Sequence, residues 1–149
     1  MNTKRLFLFI CSLFCFILVQ ADTDKFFGSN NQLSNSHVNH IYQDKKGYIW
    51  ICTENGLNVF NGIDFNTFTH IANDSTSLAN NSVLSVLEDK KGRFWVGTTD
   101  GVQILDRETG KFQKVNLSYR NITNFSYIKC ITEDSKGNVW LSTNRSGII

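Results

Sequence analysis

The sequence predicts an all-β fold: a partial β-propeller, two complete four-stranded antiparallel blades plus half of a third. Three observations predict it. First, Trp50, Trp95 and Trp140 stand 45 residues apart, as do Asp44, Asp89 and Asp134, then Gly47, Gly92 and Gly137, and Thr53, Thr98 and Thr143. Second, the apolar positions keep that register: Val38, Val83 and Ile128, then Ile41, Val86 and Ile131, then Ile49, Phe94 and Val139, and Val38 to Gly56 aligns with Val83 to Gly101 without a gap. Third, the apolar period inside each copy is two rather than 3.6, and no segment after the N-terminal leader carries a helical stripe. A fixed long period marks a repeat architecture, and four short strands per repeat make one propeller blade.

The elements follow in chain order. Lys4 and Arg5 precede Leu6 to Val19, an apolar run of 14 residues with Ser12 as its one polar side chain. The run is short for a membrane span, which needs about 20 residues, and Val19-Gln20-Ala21 suits a cut after Ala21. Residues 1–21 therefore read as a signal peptide, with an uncleaved anchor as the alternative. Neither Cys11 nor Cys15 follows a small residue as a lipoprotein cut site would require. Residues 22–34 are a lead-in. The repeats are 35–79, 80–124 and a truncated 125–149, which stops after 25 of 45 positions. A blade is apolar on both faces and a ring closes with about four to eight, so this chain alone cannot close one. That favours a piece of a longer protein over copies that associate.

Within the first repeat, a strand from Val38 runs to Asp44. Asp44-Lys45-Lys46-Gly47 is a tight reversal in which Asp accepts backbone N–H bonds and Gly takes a positive φ. Tyr48 to Thr53 is a second strand, rich in aromatic and β-branched residues. Glu54-Asn55-Gly56 turns the chain into Leu57 to Phe60. Asn61-Gly62 is a two-residue hairpin signal, and Asp64 to His70 supplies the fourth strand. The second repeat has strands at Ser82–Glu88, Arg93–Thr98, Val102–Leu105 and Lys111–Val115, with a turn at Gly101 and a longer last turn, Asp106 to Gly110.

The core from Ser36 to Leu57, read as N-x-V-x-x-I-x-x-D-x-x-G-x-I-W-I-x-T-x-N-G-L, resembles the two-component-regulator propeller repeat rather than a WD repeat, which would end a strand in Trp-Asp. The stretch from His70 to Asn81, with Asp74, Ser77 and Leu78, is similar to that family too. The resemblance covers Phe26 to Thr143. Cys52 and Ser142 stand where Gly97 matches the family's usual Gly, and Asn144-Arg145-Ser146-Gly147 carries one extra residue. The resemblance implies the exported, periplasmic sensor region of a hybrid two-component histidine kinase of Bacteroides-like bacteria. It implies a parent anchored in the inner membrane, homodimeric, with further blades as neighbours, an oligosaccharide as ligand, and control of glycan-utilisation genes. A stand-alone exported propeller, glycan-binding or lyase-like, is the alternative.

Composition narrows the partners. The chain has 15 Lys and Arg and 13 Asp and Glu; Lys4 and Arg5 lie in the acid-free leader, so 13 of each sign remain after it and the net charge there is zero. Nucleic acid and anionic membrane surfaces are held through a basic excess, so neither is expected as partner. No phosphate-binding loop, nucleophile elbow, HExxH or CxxC is present. No cofactor, metal site or catalytic set is expected, and kinase activity would belong to a longer parent.

Residues identical in every repeat read as structure. The three Trp pack between blades, and the three Asp cap turns. Lys45-Lys46 and Lys90-Lys91 read as solvated turn residues. Cys52 and Cys130 read as small buried strand residues rather than a disulfide pair. A unique ligand site needs residues that break the repeat: His40, Ser85 and Cys130 at one innermost-strand offset, His37, Ser82 and Tyr127 at another, and the turns Glu54-Asn55, Thr99-Asp100 and Asn144-Arg145-Ser146. His40 and Tyr127 are the ligand-face candidates.

Overall fold

The computed structural model describes residues 27–28, 32–118 and 125–149; the expected signal peptide lies outside them. The strands are β1 (Val38–Gln43), β2 (Ile49–Thr53), β3 (Gly56–Phe60), β4 (Phe65–Phe68), β5 (Val83–Glu88), β6 (Phe94–Thr98), β7 (Gly101–Asp106), β8 (Lys111–Lys114), β9 (Ile128–Glu133) and β10 (Val139–Thr143). They form two antiparallel four-stranded sheets in sequential order, β1 to β4 and β5 to β8, and a two-stranded sheet, β9 and β10. All ten are strands, and no helix occurs among the described residues.

The repeat extends to irregularities. The pairing shifts between Val38 and His40 in the first blade and between Val83 and Ser85 in the second. These bulges bend the innermost strand at the same point. One turn differs from expectation. Asn61-Gly62 does not make a two-residue hairpin: four residues connect β3 to β4, because Asn61 Oδ1 accepts the N–H groups of both Ile63 and Asp64 at 2.8 Å. That side chain caps a wider loop before the strands can pair.

Blades stack through two buried clusters. One joins Trp50, Cys52 and Leu57 of the first blade to Val83, Val86 and Phe94 of the second, and Leu78 of the connecting segment is fully buried within it. The other joins Trp95 and Val102 to Ile128, Ile131 and Leu141. Each fully buried aliphatic or Phe side chain contributes roughly 1.5–3 kcal/mol. In both joints the innermost strand of the later blade lies on the first two strands of the earlier one.

The segments before the first two blades are each tied to that blade's third strand. Ser34 donates its N–H to Asn58 Oδ1, and Ala79 donates its N–H to Gln103 Oε1. Leu33 and Leu78 are buried at equivalent offsets. The ring of Phe27 sits 5.4 Å from that of Phe60 and 5.1 Å from that of Phe65, so the lead-in covers the outer strands of the first blade.

Cys130 corrects the sequence reading. Cys52 is buried, but Cys130 is exposed, and both are free thiols. Cys130 lies on β9, on a face that none of the described sheets covers. Burial pushes the Cys52 thiol up to about 12, so it is inert at neutral pH.

Candidate functional site: blade joints and the turn face

The repeated residues form one lock per blade. Asp44 Oδ1 accepts the N–H groups of Lys46 and Tyr48 at 2.9 and 3.0 Å. Its Oδ2 accepts the indole N–H of Trp50 at 2.9 Å. The same pattern holds for Asp89 with Trp95 and for Asp134 with Trp140, at 2.9 and 3.1 Å. Each Oδ2 accepts one more bond: from Arg107 Nη1 in the first blade, Arg93 Nε in the second and Asn138 Nδ2 in the third. Burial opposes ionisation of Asp44 and Asp89, but these hydrogen bonds and the nearby guanidinium outweigh it and hold both carboxyls below the usual range. Asp134, bonded by Asn138, is drawn down to about 2. With both oxygens occupied, the three carboxylates are structural. Among the described residues no His, Cys, Asp and Glu side chains gather as a metal site would need.

A second lock closes the turn after the second strand. Thr53 Oγ1 donates to the Gly56 carbonyl and accepts the Asn55 N–H, and Thr98 does the same with Gly101 and Asp100. Thr143 bonds Gly147 and Ser146 across the longer third turn. Gly56 and Gly101 have φ of +127° and +109°, a region open to glycine.

Lys45 and Lys90 are exposed turn residues, as expected, yet both also bond across a joint. Lys45 donates its N–H to Glu88 Oε2 and its ammonium to the Asp89 carbonyl, both across the joint. Lys90 repeats this with Glu133 and the carbonyls of Asp134 and Ser135. Arg107, from the β7–β8 turn, which like β3–β4 has four connecting residues and is not longer as expected, closes the first joint from outside. It pairs with Asp44 at 3.0 Å and Glu88 at 2.8 Å and lies 5.2 Å from the Phe94 ring centroid. Sequence reasoning missed it, although Arg107 stands 45 residues after Gly62 and so breaks the repeat.

The repeat-breaking residues lie on the opposite edge of the sheets, with the Thr-locked turns. Glu54 accepts from Asn39 Nδ2 and Ser82 Oγ, and Asn39 Nδ2 also donates to the Val83 carbonyl. Bonds from Ser82 and Asn39, with the charge of His37, draw the Glu54 carboxyl down. His40 lies on β1 opposite Cys52 and is exposed; its partial desolvation lowers its imidazole pKa, so it is neutral at pH 7. Tyr127 precedes β9, donates its N–H to the Thr99 carbonyl, and stands 41% exposed with φ +60°. A bulky residue in that region is strained. Thus Asn39, Glu54 and Ser82 converge at the first joint, while Tyr127 marks the second. No hydrogen bond links His40 to Tyr127 among the described residues.

Two recesses flank these joints. One of 300 Å³ opens beside the turn face and is lined by Asp100, Lys114, Asn116, Ser118 and Phe125 among others. The other, of 280 Å³, lies between the first blade's outer strands and Arg107, with Tyr48, Asn61, Asp64, Phe65 and Phe68 in its wall.

Sheets stacked face to face and locked by the same residues in each define a segment of a β-propeller. More particularly, the chain carries three matches to the two-component regulator propeller repeat, at residues 32–55, 77–100 and 123–145. Its structure is similar to the extracellular domain assigned to the hybrid two-component system BT3049 of B. thetaiotaomicron. The TM-score is 0.70 and the identity 29%, over 83% of this chain and 18% of that one. It is also similar to the extracellular domain of BT4673 from the same organism, described in two structures as belonging to a one-component and to a hybrid two-component system. Those TM-scores are 0.64 and 0.62 at 25% and 27% identity, over 75% of this chain and 16% of each neighbour. The chain thus spans less than a fifth of these domains. No curated protein sequence matches it.

Proposed function

We propose that the chain is part of the periplasmic ligand-sensing propeller of a hybrid two-component histidine kinase, with an oligosaccharide as input and glycan-utilisation genes as output. The observation that carries this reading is the family repeat, in three copies, on an architecture shared with the extracellular domains of Bacteroides sensors. The chemistry of the turn face supports it. Sugars are recognised by fixed hydroxyl-bonding groups beside apolar rings, and the recess there sets Asp100, Lys114, Asn116 and Ser118 beside Phe125. The role of this segment is binding; phosphate transfer and membrane anchorage belong to the parent.

The test is calorimetric titration of the complete sensor region with oligosaccharides from several polysaccharides, comparing His40→Ala and Tyr127→Ala with the unaltered protein. A contacting side chain should weaken binding about tenfold, the equivalent of 1.4 kcal/mol. Unchanged affinity in both folded variants would remove these two positions from the ligand face. Absence of binding to every glycan would overturn the oligosaccharide reading.

A further inference from the structure

We propose that the recess between the outer strands of the first blade and Arg107 is a second small-molecule site, which takes an α-amino acid with an apolar side chain. Both of its walls belong to consecutive blades of this chain, so it exists whatever flanks the outer faces of the first and third blades. It opens on the edge of the Asp-locked turns and stands apart from the turn-face reading. Trp50, Val59 and Asn66 make one cross-strand row in its wall, and Arg107 reaches in from the second blade to Asp44.

The recess breaks the repeat. At the offset of Tyr48 the second blade has Arg93, which bonds Asp89 at 2.6 Å and lies over the Trp95 ring, 4.9 Å from its centroid. At the offsets of Asn66 and Phe68 it has Lys111 and Gln113. The first blade draws its guanidinium from the neighbouring blade instead, through Arg107, and leaves 280 Å³ open beside Trp50. That is the lower end of the range for small-molecule sites, about 300–1,000 Å³, and it suits a single compact ligand.

The groups around the opening define a zwitterion. The wall carries two basic side chains, Lys46 and Arg107, and two acidic ones, Asp44 and Asp64, so a net charge on the ligand has no counterpart. Asp44 is taken up by Trp50 and Arg107. The Lys46 ammonium, the Arg107 Nε–H and the Asp64 carboxylate make no hydrogen bond among the described residues. The cations stand at the β1–β2 end of the recess and the unused carboxylate at the β3–β4 end. Those turns are two strand spacings apart, roughly 10 Å, and two charge-assisted hydrogen bonds of about 2.8 Å each leave the span of one α-amino acid between them. Its carboxylate meets Lys46 and Arg107, its ammonium meets Asp64 with the Asn66 side chain alongside, and its apolar side chain lies on Trp50 and Phe68, whose rings are inclined by 16°.

The experiment is a nuclear magnetic resonance titration of the full, isotopically labelled chain with L-leucine and L-phenylalanine, and with isoamylamine, isocaproate, phenethylamine and hydrocinnamate, which each lack one of the two charged groups. The chain has three Trp and hence three indole N–H signals. That of Trp50, bonded to Asp44, should move to saturation with an amino acid while those of Trp95 and Trp140 stay. The one-charge analogues should bind at least about tenfold more weakly. Lys46→Gln should weaken the amino acid by a similar factor and spare the amine; Asp64→Asn should weaken it and spare the acid. Tyr48→Arg puts the second blade's residue beside Trp50 and should abolish the response. All three positions are exposed, so the fold should survive, as an unmoved Trp95 signal would verify. His40→Ala and Tyr127→Ala should leave the response intact. A Trp50 signal that neither amino acid moves would overturn the proposal. So would analogues that bind as tightly as the amino acids, or variants at Lys46, Tyr48 and Asp64 that bind as the unaltered chain does. A signal moved by lactose and by neither amino acid would make this a saccharide site and overturn it as well.

Discussion

Trp50, Trp95 and Trp140 occupy one offset and make one hydrogen bond each to the Asp six residues before, yet they are not energetically alike. Trp95 is buried against Ile131 and Leu141, whereas Trp140 has only its own blade behind it. Trp95→Ala should cost about 3–5 kcal/mol. Trp140→Ala should cost roughly 1 kcal/mol, the scale of its hydrogen bond to Asp134. Urea denaturation of both variants checks this, and equal losses would show that packing between blades is not what the indole supplies. Packing between blades, expected for all three from the identical offset, holds for Trp50 and Trp95 and not for the exposed Trp140. The indole bond to Asp was not legible, since a spacing of six does not say that the ring reaches back over the turn. The roles of Lys45 and Lys90 were hidden because their partners, Glu88 and Glu133, lie 43 residues away and repeat just as the lysines do. Cys130 was misread because its burial depends on a neighbouring sheet and not on its own strand.

At the scale of elements, strand order and approximate bounds could be read because three copies vote on each position, so that local ambiguity in one is resolved by the others. The β3–β4 connection escaped although its cap repeats: Asn61 Oδ1 accepts from Ile63 and Asp64 in the first blade and Asp106 Oδ1 from Glu108 and Thr109 in the second, a bond pattern hidden behind the Asn-Gly pair. The candidate site was only partly legible. Repeat-breaking positions could be named, but which of them meet is decided by the stacking of sheets, which brought Glu54 to Ser82 and left His40 and Tyr127 apart. Stacking also sets the tightest contact. Gly97 on β6 lies directly under Ile128 on β9, so Gly97→Val should push these sheets apart at a cost of about 1–3 kcal/mol. Ile128→Ala in the same background should recover part of that loss in thermal denaturation. An additive loss in the double variant would refute the close approach.

For the whole molecule, the first joint carries its charges in one network: Asp44, Glu88 and Arg107, with Lys45 beside them. Asp44, Glu88 and Asp89 all titrate below their usual values in the folded state, where hydrogen bonds and cations outweigh desolvation. Their folded pKa values are depressed. The stabilisation they provide is therefore complete above the unfolded carboxylate range, near 4, and is lost as pH falls through the folded values. Stability should be flat with pH from about 5 to 7 and fall steeply below about 4. Asp89→Asn, which removes one such group, should flatten that fall when melting temperature is followed against pH. A loss of stability already at pH 6 would point instead to histidine.

The stacking of sheets in sequence order also governs how the molecule opens. Among the described residues each sheet packs chiefly on the one before and the one after, so its free energy of opening is set by its nearest neighbours. Among the described residues the second blade is flanked on both sides, the first and third on one side each. Amide hydrogens of β6 and β7 should therefore exchange with solvent last, and those of β9 and β10 first, with fraying that begins at the outer sheets and moves inward. Exchange followed by mass spectrometry would show this gradient, and uniform protection across the three blades would mean that the array opens as a single unit. In an array of this kind, a blade added at either end slows the breathing of the blade it covers, without altering a residue in it.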